Sequence, residues 1–285
     1  MTNILGIGVV LTAVIGGYLL EGGNLHVLLV PAEFVIIGGA AIGAFLISSP
    51  KKVMTATLRN VGKVFSSKNH GKQEFLQLLT LLYQVFAKIR KEGLISIEAD
   101  IEHPEQSALF QKFPGVAKDH HVMNFICDNL KVIISTSIPP HELDGLLDIE
   151  IETGEHEAMV PSHALNRIAD GLPGLGIVAA VLGIVLTMGK IDQPPAVLGH
   201  SIGAALVGTF IGILLCYGFV GPMAANLEHK AKEEEVLFQV IKLTLVAFVG
   251  GSAPQIAVEF GRRAIPGDAK PTFAELEAAV RGGPK

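Results

Sequence analysis

The stretch LPGLGIVAAVLGIVLTM, Leu172–Met188, carries no charged side chain and is long enough to cross a bilayer as a helix with help from its flanks. Three other stretches share this character: Ile4–Leu20, about Phe34–Ser48 and about Ile202–Val220. Each holds about 15 to 19 residues, near what a span needs at about 1.5 Å of rise per residue. Backbone polar groups in lipid must be satisfied within the segment, so these stretches read as helices; the alternating pattern of a membrane barrel is absent. As bounded here, none holds a carboxylate, lysine or arginine. The expected fold class is an all-α integral membrane protein, with four transmembrane helices and a large helical cytoplasmic insert.

Loop charge predicts the orientation. The short loop Glu21–Pro31 has no lysine or arginine, whereas Lys51, Lys52, Arg59, Lys63, Lys68 and Lys72 follow the second span. Positive residues stay in the cytoplasm, so that side is inside. Lys230 and Lys232 after the fourth span agree, with only Lys190 in the loop between spans three and four. Both termini are therefore expected in the cytoplasm. The opening segment lacks the charged start and small-residue cleavage site of a signal peptide, which predicts a retained anchor.

Hydrophobic content of 49% with 17% charge is high for a soluble chain, and the charge falls outside the spans. The expected division is residues 1–49 (spans one and two), 50–170 (cytoplasmic helical domain), 171–222 (spans three and four) and 223–285 (C-terminal cytoplasmic helices). Cys127 and Cys216 fall in the cytoplasmic part and the fourth span, so they read as packing residues in a reducing compartment.

The insert reads as helices. Phe75, Leu78, Leu79, Leu82, Phe86 and Ile89 recur at helical spacing from Gln73 to Lys91, burying one face, and Gly93 is the expected stop. Ser96 and Pro104 are expected to start two short helices. Val122, Phe125, Ile126, Leu130 and Ile133 stripe another, and Pro139 and Pro140 open a long acidic helix leading into the third span. Leu237, Val240, Ile241, Leu245 and Phe248 continue a helical pattern after the fourth span, and Pro271–Val280 forms a last short helix.

Residues 51–91 are mainly basic and Glu98–Glu157 is acidic. One reading is a positive-inside flank beside a solvated acidic face. The other is a polar docking surface, with Arg90 and Glu98 projecting on either side of the break at Gly93; such charges favour fast, reversible engagement. Catalytic signatures are missing: there is no phosphate loop, paired-cysteine motif or nucleophile elbow. His120 and His121 adjoin Asp119 without a second cluster at ligand spacing. The chain is expected to be no enzyme, and to hold no cofactor or metal.

The third and fourth spans offer small residues instead. Gly176, Ala179, Ala180 and Gly183 recur three or four apart, as do Ala204, Gly208 and Gly212, which lets helices approach closely in lipid. Thr209 sits beside this seam, either lining a pore or bonding its own helix backbone; Thr187 lies nearer the far end. Pro173 and Pro222 lie at one membrane face, as hinges or simply as helix boundaries.

PAEFVIIGGAAIGAF (Pro31–Phe45), EADIEHP (Glu98–Pro104), GLPGLGIVAAVLGIV (Gly171–Val185), VGTFIGILLCYGFVGP (Val207–Pro222) and IAVEFGRR (Ile256–Arg263) closely resemble the MotA family of flagellar-motor stator subunits. The resemblance covers essentially the whole chain in order. ExbB and TolQ proteins are similar in the last two spans, but usually have three spans and a smaller insert. An ExbB/TolQ-type energy transducer acting on a periplasm-spanning partner is the alternative.

The resemblance implies five copies of this chain around two of MotB, which supplies the proton-accepting aspartate and a peptidoglycan-binding domain. Together they would form a proton channel that turns the flagellar rotor. It implies that Arg90 and Glu98 face the rotor protein FliG, that Pro173 and Pro222 couple mechanically, and that Thr209 lines the ion pathway. Sodium-driven relatives typically carry a further threonine where this chain has Ala180, which implies protons. The chain departs from well-studied proton-driven members at Ala99, where arginine is common. No nucleic-acid partner is expected.

Overall fold

The computed structural model describes residues 2–65 and 71–282; Lys68, counted above among the flanking cations, lies outside them. Among the described residues there is no strand. In order come α1 (Thr2–Leu20), α2 (Leu25–Leu28), α3 (Pro31–Ser48), α4 (Lys51–Val61), α5 (Lys72–Glu92), α6 (Glu98–Glu102) and α7 (Pro114–Ala117). Then follow α8 (His120–Ser135), α9 (Pro140–Met188), α10 (Pro195–Leu214), α11 (Gly221–Val249), α12 (Pro254–Ala264) and α13 (Phe273–Gly282). Among the described residues, four helical stretches are long and apolar enough to cross a membrane: Thr2–Leu20, Leu25–Ser48, Pro140–Met188 and Pro195–Val249.

Two compact units emerge, residues 1–67 with 158–230, and 68–157 with 231–285. In the first, α1 buries none of its residues. A helix that is apolar all round and unburied by its own chain is suited to lipid or to other membrane helices. α10 packs on α2 and α3. The core here joins Ile37 of α3, Ala169, Leu172 and Ala179 of α9, and Val207 and Ile211 of α10. Ser162 donates to the Ala224 carbonyl at 2.8 Å, satisfying a buried hydroxyl.

In the second unit α5 is the central element. Leu78, Leu79, Leu81, Leu82 and Phe86 are fully buried, with Leu143 and Leu147 of α9 and Val240, Ile241 and Leu245 of α11 in the same core. Burying one such side chain is worth about 1.5–3 kcal/mol. Phe86 stacks on Phe248 at 4.1 Å between centroids with planes 4° apart. The expectation of a single buried face is too narrow, because Thr80 and Leu81 are buried as well. Both α12 and α13 lie against α5, so it is covered on more sides than its apolar stripe suggests.

The acidic start of α9 is not wholly a solvated face. Lys242 of α11 has a side chain only 9% exposed and meets Asp144 at 2.9 Å and Asp148 at 2.6 Å. Those aspartates stand one turn apart, so a single ammonium reaches both.

Two proline expectations need correction. Pro104 opens a turn, not a helix; the next helical pieces are a 3₁₀ turn at Phe110–Lys112 and α7. Nor does Pro173 mark a helix boundary, whereas Pro222 is the second residue of α11. Pro173, like Pro161, lies inside the unbroken α9. Before Pro222 the chain winds as a π-helix over Leu215–Val220, with the Gly221 N–H reaching back to the Cys216 carbonyl. A proline has no N–H to donate and crowds the carbonyl four residues earlier, and the wider turn suits such a residue.

Candidate functional site

Two groups of expected site residues take definite positions. The first lies where α5 ends. Gly93 has φ +91°, a conformation that side chains disfavour, and its N–H bonds to the Ile89 carbonyl. The chain then makes a 3₁₀ turn over Leu94–Ile97 and enters α6 at Glu98. Arg90, in the last turn of α5, and Glu98 are both exposed on either side of this break. The Arg90 Nη1 donates to the Ser252 carbonyl at 3.2 Å, which steadies the guanidinium and leaves further N–H donors for a partner.

Beneath them, Lys88 holds Asp100 at 2.6 Å and the Ser107 hydroxyl donates to the same carboxylate at 2.5 Å. Burial would raise the Asp100 carboxyl, but the bonds from Lys88 and Ser107 outweigh it and hold it below its ordinary value. This clamp ties α6 to α5 and so fixes where Glu98 stands. Sequence reasoning missed the apolar part of the surface: Leu94 and Ile95, between the two charges, are 42% and 75% exposed. The signal was available, since both fall in a break between helices where no core stripe claims them. Ala99 is exposed next to Glu98, so its missing charge leaves a smaller, less polar rim.

The second group is the contact of α9 with α10. A Cβ on Gly212 would stand 2.5 Å from the Leu172 carbonyl oxygen, and one on Gly176 2.7 Å from that of Gly208. Only glycine permits backbones this close. Thr209 belongs to this seam, its Cα 3.3 Å from where a Gly176 Cβ would be. Its side chain is half-buried, and no bond to its own helix is formed among the described residues. Thr187 does form one, donating to the Gly183 carbonyl at 2.8 Å. Ala180 is buried one turn beyond Gly176.

This seam also contains a residue that hydropathy reading overlooked. Glu33 is 5% exposed, and its Oε2 has no hydrogen-bond partner. Pro31 sits at the start of α3, so the helix begins before Glu33 and not after it. The statement that no span carries a carboxylate is therefore corrected: the apolar window began one residue too late.

The other titratable groups show little that suggests chemistry. Asp119 caps α8, accepting from the N–H of His121 at 3.2 Å and of Val122 at 3.4 Å, while His120 and His121 are exposed. Burial pushes the Cys127 thiol up to about 11, so it stays protonated and unreactive at neutral pH.

Residues 4–93 match the family described as Motility protein A N-terminal, and residues 117–240 match the MotA/TolQ/ExbB proton channel family. Motility protein A of Salmonella typhimurium is 44% identical over 281 residues, 99% of this chain and 95% of that protein. Motility protein A of Escherichia coli is 45% identical over the same shares. The chain belongs to the MotA family. The family's architecture extends to a solved flagellar MotAB stator complex from Bacillus subtilis, a chain of which matches with a TM-score of 0.77 at 23% identity, over 96% of this chain and 100% of that one. The MotA family supplies stator subunits of the flagellar motor, and the stretch matching the proton channel family takes in both halves of the glycine seam.

Proposed function

We propose that this stator subunit conducts protons together with MotB in the bacterial inner membrane, and converts their flow into rotation of the flagellar rotor. In this reading five copies surround a MotB dimer, whose aspartate supplies the carboxylate that the apolar stretches Leu172–Met188 and Ile202–Val220 lack. Thr209 and Ala180 border the ion pathway, and Pro173 and Pro222 carry motion from the spans to the cytoplasmic helices. Arg90 and Glu98 meet opposite charges on FliG, with both termini in the cytoplasm. Each elementary charge crossing about 100 mV releases roughly 2.3 kcal/mol, which is ample to repack a helix contact.

The observation that carries the reading is the α9–α10 seam. Backbones in direct contact at Gly176, Gly208 and Gly212, with a hydroxyl beside them, form a narrow two-helix wall on which a partner helix could pack. Exposed Arg90, Leu94, Ile95 and Glu98 supply a compact surface for a second partner. The test is swimming of a stator-deleted flagellated cell given this chain and its cognate MotB, with and without sodium, then with a protonophore. Swimming that survives sodium removal and stops with the protonophore is expected. Failure to swim despite membrane expression and a compatible rotor would favour the ExbB/TolQ-type energy transducer.

A further inference from the structure

Glu33 is buried with one carboxylate oxygen, Oε2, lacking a hydrogen-bond partner. It lies in the first turn of α3, and its carboxylate reaches across to both α9 and α10. A Cβ on Gly208 would stand 2.5 Å from Oε2 and 3.1 Å from Cδ, and one on Gly183 would stand 3.7 Å from Oε1. Gly208 is thus the opening that admits the carboxylate, and Thr209 is the next residue on α10. The same part of the seam holds Ala179 and Gly183 of α9 and Ala205 and Gly208 of α10. None of these has a polar side chain, and among the described residues nothing hydrogen-bonds Oε2. The ionisable groups on the neighbouring elements, His26 of α2, Lys190 and Asp192 between α9 and α10, and His200 of α10, are exposed.

A carboxylate so placed has its bonding completed only by something brought to it. An isolated ionisable group within a membrane bundle is costly and marks a pathway by default. Its site is narrow: the Gly183 Cβ position lies 2.6 Å from the Ala205 Cβ, so α9 and α10 almost touch beside it. A proton needs no space beyond the oxygen that binds it, whereas a metal cation needs several oxygen ligands, and Glu33 is the one carboxylate there.

We propose that Glu33 is a proton-binding site, a second titratable station beside the seam, contributed by this chain and not by its partner. The step is a reversible proton transfer: the O–H bond formed at Oε2 on arrival is broken on departure, and the proton leaves as it came. This rests on the proton-conducting reading for its use, but its chemistry can be tested without rotation.

The purified complex with MotB is treated with dicyclohexylcarbodiimide, which adds to protonated carboxyls in apolar surroundings, and the Glu33 peptide is examined by mass spectrometry across a pH series. The expected result is modification of Glu33 that declines as pH rises and is indifferent to sodium at fixed pH. Absence of modification at Glu33 under conditions that modify the MotB aspartate would overturn the proposal, and so would suppression by sodium. In cells, Glu33→Gln is expected to assemble with MotB at native levels and to lose swimming speed at low load, where proton transfer limits rotation. Native speed in Glu33→Gln across the pH series would reduce Glu33 to a packing residue. Failure of the native chain to support protonophore-sensitive swimming bears on the stator reading alone, since the labelling experiment does not depend on it.

Discussion

Replacing Gly212 with alanine tests whether the α9–α10 contact is as close as its geometry requires. The added Cβ would stand 2.5 Å from the Leu172 carbonyl oxygen, 2.9 Å from Gly176 Cα and 3.2 Å from Gly176 N. All three are backbone atoms, so no side chain can swing aside. Ordinary contact begins near 3.4 Å, and the helices must part by about 0.9 Å along that line. Overpacking of this kind costs about 1–3 kcal/mol, and the parted seam also forfeits dispersion contacts, which drive helix association in lipid. Alanine is the better helix former by about 1 kcal/mol, which partly masks the loss. Gly203→Ala, on the same helix, supplies the correction: nothing lies within 4 Å of its Cβ position, so it takes the propensity gain alone. The difference between the two variants isolates the clash, and for a chain of this size corresponds to roughly 2–10 °C in apparent unfolding temperature. Both would be purified with MotB in detergent and melted side by side at one scan rate, with spreading in soft agar as the functional readout. Gly212→Ala should melt below Gly203→Ala and spread less. Equal melting and equal spreading would show that the seam is loose and that the argument from contact distances fails.

Two other outcomes are expected. Arg90→Glu and Glu98→Lys should each reduce torque on tethered cells without changing membrane content, and a reversed charge on the rotor should restore part of it; unaffected torque in both would make these charges a solvated surface. Asp100→Asn should loosen α6 by about 1–2 kcal/mol through loss of the charge-assisted bonds to Lys88 and Ser107, seen as faster hydrogen exchange of α6 amides after correction for intrinsic rates. Because the folded carboxyl is held below its ordinary value, this contribution is complete above the unfolded value of about 4 and lost as pH falls through the lower folded one. The native and Asn chains should therefore converge only under acid conditions. Identical protection at neutral pH would remove the clamp from the account.

The helical architecture was legible because its signals are long. The stripe of Phe75, Leu78, Leu82, Phe86 and Ile89 gave α5, the run after Pro140 gave the long α9, and charge-free stretches gave the spans. What escaped depends on neighbours distant in sequence. Leu81 and Thr80 lie outside the apolar stripe, and their burial follows from α12 and α13, which arrive about 180 residues later. Glu33 escaped because a hydropathy window discards a carboxylate at its edge, although Pro31 marks an earlier helix start and Glu33 shares a face with buried Ile37 four residues on. At the docking surface, Arg90 and Glu98 were legible as charges beside a glycine. Their steadying partners were not, since the Ser252 carbonyl is 162 residues from Arg90 in the chain.

The wide turn at Leu215–Val220 has a geometric consequence for the helices it joins. On α10 the buried small residues Ala205, Gly208 and Gly212 form one stripe, and on α11 Ala224 and Leu227 begin another. With about 100° per residue throughout, Gly212 and Ala224 would point about 120° apart, on different sides of the rod. A π-turn takes up roughly one extra residue without advancing the winding, and the offset shrinks to about 20°. Leu215–Val220 thus acts as a phase shifter: two stripes written out of register in the sequence become one face of a continuous helix. Removing any single residue between 215 and 220 would let plain α winding cover the remaining steps from Gly212 to Ala224 and keep the stripes about 20° apart, whereas straightening the π-turn with every residue retained would throw them about 120° out of step.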